Sequence, residues 1–369
     1  MPPMSVLIKP SSGNCNLRCK YCFYYDTMSK RLNPSFGFMT EDTLEYVIKN
    51  VLAFAQGECS IAYQGGEPTL IGLDFYKKSI ELQDKYNVNH VKIYNSIQTN
   101  GYNCDKSWAE FFVQNHFLVG LSLDGIQKVH NLYRVNTKGE GSFYKVMESI
   151  KLFKKHGVQF NILSVVNGKS ALSLEHNYEF YKRHKLKFLQ FIACLDPIGE
   201  EPGKLEYSLT PELYGEFLIK LFNLWYKDLL NGEQPYIRQF ENYIAILLGS
   251  HPESCDMRGT CGKQYVVEAD GSVYPCDFYV LEQYCLGNFR ENSAVEIDEA
   301  RKKMGFIEQS YTHHVKCKVC KYYFVCRSGC KRNRQTEEPY QQYFCKSYQM
   351  FFDACLPKMM EIAMNIQKN

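Results

Sequence analysis

Strand-like and helix-like segments alternate through the first half of the chain. The candidate strands are Val6–Pro10, Ser60–Tyr63, Val91–Ile97, Leu118–Leu123, Phe160–Val166 and Phe188–Ile192. The candidate helices between them are Glu41–Ala55, Asp74–Lys85, Lys106–Asn115, Phe143–His156 and Leu174–His184. One strand and one helix recur roughly every 30 residues, as parallel strands with crossover helices require. Six such units predict an α/β sheet that is barrel-like but incomplete, with active groups at the carboxyl ends of its strands.

The pattern changes in the second half. Pro211–Asn231 and Tyr236–Leu248 are predicted helices, and the chain from Cys255 onward is loop-rich and holds ten of the sixteen cysteines. Tyr265–Tyr274 is predicted to form a β-hairpin with an Asp-Gly turn, and Gln349–Ile366 a closing helix. The boundary is placed near residue 235, giving domains 1–235 and 236–369.

Charge and hydropathy exclude several classes of protein. The 43 Lys and Arg residues nearly balance the 40 Asp and Glu residues, so no general affinity for nucleic acid is expected. No apolar stretch approaches the roughly 20 residues of a membrane span, and no secretory signal is visible. We therefore expect a cytoplasmic protein whose cysteines bind metal rather than form disulfides.

Three cysteines follow the first strand in a C-x3-C-x2-C array: Cys15, Cys19 and Cys22. Three thiolates are one too few for the closed four-coordinate shell of a structural metal site. One interpretation is a four-iron cluster with one iron left open for a chelating ligand. The alternative is a zinc loop that takes its fourth ligand from elsewhere in the chain.

Polar groups also follow the next three strands. Gly65-Gly66-Glu67-Pro68 follows the second, Gln98-Thr99-Asn100-Gly101 follows the third, and Ser122 lies at the end of the fourth, with Arg134 shortly after. Together they predict the rim of a cofactor site. Taken singly, the glycine pair is equally consistent with a turn, Ser122 with a backbone-bonded hydroxyl and Arg134 with a surface salt bridge.

The cysteine triplet and the Gly65–Pro68 stretch resemble the radical S-adenosylmethionine superfamily, and the resemblance covers about the first 235 residues. It implies a [4Fe-4S] cluster on the triplet, with S-adenosylmethionine on the open iron. It further implies cofactor contacts by Tyr21 (backbone), Gly66, Ser122, Arg134 and Leu195 (backbone). Ser122 is the side-chain candidate for the ribose and Arg134 for the carboxylate.

Eight of the later cysteines form two sets of four. Their C-x2-C spacing alone is also compatible with zinc. The run resembles the SPASM extension of the same superfamily, which implies two auxiliary [4Fe-4S] clusters and three in all. By position, the first auxiliary cluster would be held by Cys255, Cys261, Cys276 and Cys330. The second would be held by Cys317, Cys320, Cys326 and Cys345.

The whole chain resembles the anaerobic sulfatase-maturating enzymes. The stretches that carry this are Cys22–Tyr24, Ala62–Thr69, Phe188–Ile192 and Gly271–Tyr279. The resemblance implies an oxidoreductase that converts an active-site Cys or Ser of a sulfatase to Cα-formylglycine, with the β-hydrogen passing to a 5′-deoxyadenosyl radical. It also implies an unfolded or nascent sulfatase polypeptide as substrate and an electron donor such as flavodoxin or ferredoxin.

Asp277 is the predicted catalytic base, because it directly follows the cluster ligand Cys276 and would take the thiol or hydroxyl proton. The alternative is a carboxylate that only bonds loop amides. Two other functions stay open. One is a maturase that crosslinks or epimerises a ribosomally made peptide, and the other is a zinc-stabilised binding module without catalysis.

Overall fold

The structure is a computed structural model that describes residues 4–334 and 341–368. The chain divides into two units, each assembled from separate stretches of sequence. The first unit comprises the residues up to Leu123, His130–Asn161 and Lys263–Phe306. The second comprises Asp124–Val129, Ile162–Gly262 and the chain from Ile307 onward.

The strands of the described residues number ten. They are β1 Met4–Ile8, β2 Glu58–Tyr63, β3 Lys92–Thr99, β4 Leu118–Ser122, β5 Phe160–Val166, β6 Phe188–Ala193, β7 Tyr236–Ile237, β8 Tyr265–Val267, β9 Ser272–Tyr274 and β10 Gly287–Asn288.

The α-helices of the same residues number fourteen. They are α1 Phe23–Ser29, α2 Glu41–Phe54, α3 Leu73–Tyr86, α4 Lys106–Gln114, α5 Gln127–Tyr133, α6 Phe143–His156, α7 Gly168–Leu172, α8 Leu174–Arg183, α9 Pro211–Leu230, α10 Arg238–Leu247, α11 Cys255–Arg258, α12 Ala294–Met304, α13 Tyr323–Cys326 and α14 Cys345–Lys368. None of these helices has both the length and the apolar character that a bilayer crossing requires.

The first unit is built on a mixed sheet. Its strands are ordered β10-β9-β8-β1-β2-β3-β4, with β1 to β4 parallel and the β8–β9–β10 segment antiparallel. Strand β8 pairs in parallel with β1, which brings the late hairpin alongside the first strand. Three consecutive residues of β1, from Val6 to Ile8, are buried, as expected for a strand covered on both faces. The strand order is linear and does not close on itself.

The second unit combines a parallel strand set with packed helices. Strand β6 pairs in parallel with β5 along Ile162–Val166 and with β7 on its other side. Helices α9, α10 and α14 pack together around a fully buried aromatic cluster that includes Trp225, Phe240 and Phe351. These large rings contribute apolar area to the packing of the three helices.

The predicted α/β class, the six strands and the hairpin with its Asp270-Gly271 turn are confirmed. Strand β1 ends at Ile8 rather than at Pro10, where the missing N–H cannot serve a ladder. Helix α12 was not predicted, although its capping box of Ser293 and Glu296 is visible in the sequence. Helix α14 begins at Cys345, one turn before the predicted start. The predicted division near residue 235 stays a prediction.

Candidate active site

The cysteine triplet lies in the loop between β1 and α1 of the first unit. Cys15, Cys19 and Cys22 are half-buried and line one cavity of about 280 Å³. The pKa of Cys15 is raised to about 12, chiefly by burial and then by the negative charges of Glu67 and the other two thiols. Three cysteines that line one cavity fit the donor set of an iron–sulfur cluster, which would bind them as thiolates.

Gly66 holds this loop against the end of β2. Its N–H donates to the Ser12 carbonyl at 2.8 Å, and the next N–H, of Glu67, donates to the Asn14 carbonyl at 2.8 Å. A Cβ on Gly66 would lie 2.1 Å from the Asn14 oxygen, so a side chain has no room there. Gly66 also lines the cysteine cavity, where the sequence predicts a cofactor contact.

Glu67 connects the ends of two neighbouring strands and was not predicted as a functional residue. Its buried carboxylate accepts bonds from the Thr69 N–H at 3.1 Å, the Thr69 hydroxyl at 2.6 Å, the Thr99 hydroxyl at 2.7 Å and the Asn100 N–H at 2.7 Å. Burial raises the pKa of Glu67, and these four donors oppose the rise. Its place in the Gly-Gly-Glu-Pro stretch was the available signal.

Arg134 lies beside the cysteine loop because the loop bonds the segment that carries it. The Lys20 N–H donates to the Tyr133 carbonyl at 3.2 Å. The buried Arg134 guanidinium lies 5.5 Å from the centre of the Tyr21 ring, and its Nη1 is 4.0 Å from the Cys19 sulfur. A buried cation next to the cysteines can receive an anionic group of a ligand, so the surface-salt-bridge interpretation of Arg134 is not favoured.

Ser122 and Leu195 lie at strand ends in different units. Ser122 is the last residue of β4, and its hydroxyl accepts a bond from the Gln98 amide at 3.1 Å. Leu195 lies two residues beyond β6 in the second unit. Both occupy the kind of position that the sequence predicts, and their cofactor contacts stay predictions.

Asp277 directly follows Cys276 and forms an ion pair with Lys9. The Lys9 side chain is 1% exposed and the Asp277 side chain 15%. The Gln64 amide donates to the second carboxylate oxygen at 3.1 Å. The Lys9 ammonium lies 3.8 Å from the centre of the Tyr24 ring, and Tyr24 lines the cysteine cavity. Asp277 is therefore held by two side-chain donors next to the cysteine site.

A second buried network lies on the other side of Tyr24. The Tyr24 hydroxyl donates to Glu268, which also pairs with Arg31 at 3.0 Å. The Arg31 Nε donates to the Val280 carbonyl at 2.7 Å. Burial and the Glu268 charge raise the pKa of Tyr24, which keeps the phenol protonated. These contacts carry no local sequence signal, because Tyr24 lies 244 positions from Glu268 and Arg31 lies 249 positions from Val280.

Four of the late cysteines line a second cavity, of about 150 Å³, within the second unit: Cys317, Cys320, Cys326 and Cys345. The pKa of Cys326 is raised to about 12 by burial and then by the charges of the other three thiols. The predicted set is therefore brought together, and its donors fit a second cluster.

The other predicted set is distributed over both units. Cys255, Cys261 and Cys330 belong to the second unit, where burial and then the charges of Cys255 and Cys261 raise the pKa of Cys330 to about 12. Cys276 follows β9 in the first unit. The role of Cys276 as the fourth ligand stays a prediction.

Arg334 joins the loops that carry the cysteines of the second unit. Its buried guanidinium donates five hydrogen bonds of 2.6–3.3 Å, all to backbone carbonyls: those of Gly259, Ser310, Thr312, Ser328 and Gly329. Burial lowers the pKa of Arg334, and the thiols of Cys330, Cys261 and Cys317 oppose that change. In the sequence, Arg334 is only one member of the basic run Lys331, Arg332 and Arg334, and such a run more often lies on a solvated face.

Comparison with known proteins agrees with both cysteine regions. Residues 10–180 match the radical SAM superfamily, and residues 255–321 match an iron–sulfur cluster-binding domain known as SPASM. The chain therefore carries domains for iron–sulfur clusters and S-adenosylmethionine, which disfavours the zinc interpretations.

Full-length relatives extend the match. The chain is 48% identical to the cysteine-type anaerobic sulfatase-maturating enzyme of Clostridium perfringens, with 100% of both chains covered. It is 34% identical to the serine-type enzyme of Bacteroides thetaiotaomicron, over 97% of this chain and 90% of that one. A solved structure described as native anSMEcpe with bound AdoMet and Cp18Cys peptide matches with a TM-score of 0.94 at 48% identity, over 99% of this chain and 100% of that one.

Proposed function

The chain belongs to the anaerobic sulfatase-maturating enzymes, and on this premise we propose that it oxidises an active-site cysteine of a sulfatase polypeptide to Cα-formylglycine. The single observation that carries the proposal is the position of Asp277, held by Lys9 and Gln64 next to the cavity of the cysteine triplet. Cysteine is the favoured target because identity to the cysteine-type relative is higher than identity to the serine-type one.

Cys15, Cys19 and Cys22 would hold a [4Fe-4S] cluster with S-adenosylmethionine. Together the two groups supply the 5′-deoxyadenosyl radical that takes a hydrogen atom from the substrate. The protein's own residues position the two reaction partners. Arg134 presents a buried cation to the carboxylate of the cofactor, and Gly66 leaves room for the backbone of the cysteine loop to approach the end of β2.

The oxidation must remove one hydrogen atom from Cβ, one proton from the thiol and one electron, which an auxiliary cluster would accept. Water then hydrolyses the resulting thioaldehyde to the aldehyde and releases hydrogen sulfide. Asp277 takes the thiol proton, because a carboxylate that accepts one side-chain hydrogen bond at each oxygen keeps lone pairs for an incoming S–H. Lys9 fixes the position of the carboxylate through their ion pair. Tyr24 contacts both the Lys9 ammonium and Glu268, so it connects this ion pair with the Glu268 network.

The two sets of late cysteines would hold the auxiliary clusters. Neither set needs a substrate ligand, since four thiolates complete the coordination of a four-iron cluster. An external one-electron donor, such as flavodoxin or ferredoxin, and a cytoplasmic location complete the proposal.

The test is an anaerobic assay of the reconstituted protein with S-adenosylmethionine, a reductant and two matched sulfatase-type peptides. One peptide carries Cys and the other Ser at the target position. We expect the Cys peptide to gain an aldehyde that reacts with a hydrazine and to lose sulfur by mass spectrometry. A crosslinked or epimerised peptide without aldehyde would refute the proposal and favour the peptide-maturase alternative.

A further inference from the structure

Two buried polar groups in the second unit have no hydrogen-bond partner among the described residues. They are the Ser328 hydroxyl and the Gln342 amide nitrogen Nε2. Both residues line the cavity of Cys317, Cys320 and Cys326, and they are only 2% and 4% exposed. Because leaving such donors unbonded in a protein interior is unfavourable, their occurrence in one cavity indicates an acceptor in that cavity.

The surrounding contacts fix the orientation of the Gln342 amide. Its Oε1 accepts a bond from the Phe344 N–H at 3.3 Å, so Nε2 is the end left without a partner. Gly329 leaves the space for that end, since a Cβ on Gly329 would lie 2.3 Å from Nε2. Gly329 also has a φ of +58°, which disfavours any side chain at this position.

Hydrogen bonds also fix the backbone conformation of Ser328. Ser328 has a φ of +67°, which is uncommon for a residue with a side chain. Arg334 bonds the Ser328 carbonyl at 3.3 Å and the Gly329 carbonyl at 2.8 Å, which maintains this conformation. The hydroxyl is thus placed in the cavity by a rigid loop.

We infer that Ser328 and Gln342 donate hydrogen bonds to sulfur atoms of the cluster held by Cys317, Cys320, Cys326 and Cys345, and that they raise its reduction potential. The inference rests on the ligand set of the proposed function. Reduction adds a negative charge to the cluster, and donors to its sulfurs stabilise the more negative state. Ser328 and Gln342 are therefore positioning and tuning residues rather than ligands.

The test is a redox titration, followed by electron paramagnetic resonance, of the full chain reconstituted with iron and sulfide. A background with Cys15, Cys19 and Cys22 all replaced by Ala removes the signal of the N-terminal cluster. We expect Ser328→Ala and Gln342→Leu each to shift the oxidised-to-reduced ratio of one auxiliary cluster by about three- to tenfold toward the oxidised form. For a one-electron couple, this change in ratio corresponds to a reduction potential that is about 30–60 mV more negative.

Two further variants control the measurement. Gln349→Leu removes an exposed amide at the same cavity, and we expect it to leave the potential unchanged. Ser328→Gly removes the hydroxyl without straining the positive φ, so it replaces Ser328→Ala if that variant folds poorly. Unchanged potentials in both the Ser328 and Gln342 variants, at full iron and sulfide content, would overturn the inference.

A separate experiment tests whether the four cysteines of this cavity bind a cluster at all. Cys317→Ala should lower the iron content by about one four-iron cluster per chain. Full iron content in Cys317→Ala would overturn the assignment of the cluster itself and, with it, the role of the two donors.

Discussion

Replacing Asp277 by Asn tests the ion pair at the centre of the proposed mechanism. Asparagine keeps the shape of the side chain but removes the charge that faces the fully buried Lys9 ammonium. Removing one partner of a buried pair costs about 3–5 kcal/mol, because the other charge is left unpaired. Losing a general base slows a reaction by about 10²- to 10⁴-fold. Asp277→Asn should therefore be both less stable and nearly inactive in peptide oxidation.

The two effects can be measured on the same protein. Denaturant unfolding under anaerobic conditions gives the loss of stability. Parallel quantification of 5′-deoxyadenosine and of the formylglycine peptide gives the rates of cofactor cleavage and of peptide oxidation. We expect Asp277→Asn to keep forming 5′-deoxyadenosine, because the cysteine triplet and Arg134 are unchanged, whereas formylglycine falls by the factor above.

A double variant separates charge pairing from catalysis. Lys9→Met alone should also lose about 3–5 kcal/mol, whereas Lys9→Met with Asp277→Asn should recover most of that loss, because no buried charge is left unpaired. The double variant should still fail to oxidise the peptide. Peptide oxidation by Asp277→Asn within threefold of wild type would refute the role of Asp277 as base. An equal loss of 5′-deoxyadenosine would place the defect in the cofactor site instead.

Three further predictions concern the N-terminal site. Replacing Cys15, Cys19 and Cys22 together by Ala should remove about four irons per chain and abolish 5′-deoxyadenosine formation, while the remaining iron, measured chemically, stays bound. Gly66→Ala should displace the cysteine loop, since the added Cβ would lie 2.1 Å from a backbone oxygen, and we expect reduced iron uptake with unchanged secondary structure by circular dichroism. Glu67→Gln exchanges an acceptor for a donor that faces N–H and O–H groups, so the free energy of unfolding should fall by about 1–3 kcal/mol; unchanged denaturation midpoints would contradict this.

The strands and the hairpin were predictable because their signals are local, and the candidate cysteine ligands were chosen on signals of the same kind. Alternating segments mark parallel strands, and short cysteine spacings mark metal loops regardless of the rest of the chain. The choice of Asp277 as the candidate base also rests on local information, its neighbour Cys276. In these cases the sequence within a few residues carries the information.

The partners of Asp277 were not predictable from one sequence. Lys9 follows the first strand, where a lysine usually reaches solvent, and its carboxylate lies 268 positions away. Gln64 directly precedes the glycine pair and carries no sequence signal of its own. Both become visible once β8 pairs with β1, since this pairing brings residues around 276 next to residue 9. Long-range pairing of this kind leaves no periodic trace in the sequence.

The five backbone carbonyls that surround the Arg334 guanidinium make the stability of the protein depend on bound iron. Among the described residues the hydrogen-bond acceptors of Arg334 are all neutral, so its positive charge is offset by the nearby thiolates and the clusters they would bind. Without iron, the charge of the bound clusters is missing, and the buried cation loses that compensation, which favours unfolding. Iron-starved cells should therefore degrade this chain rather than accumulate an inactive form, and the amount of protein would report iron supply.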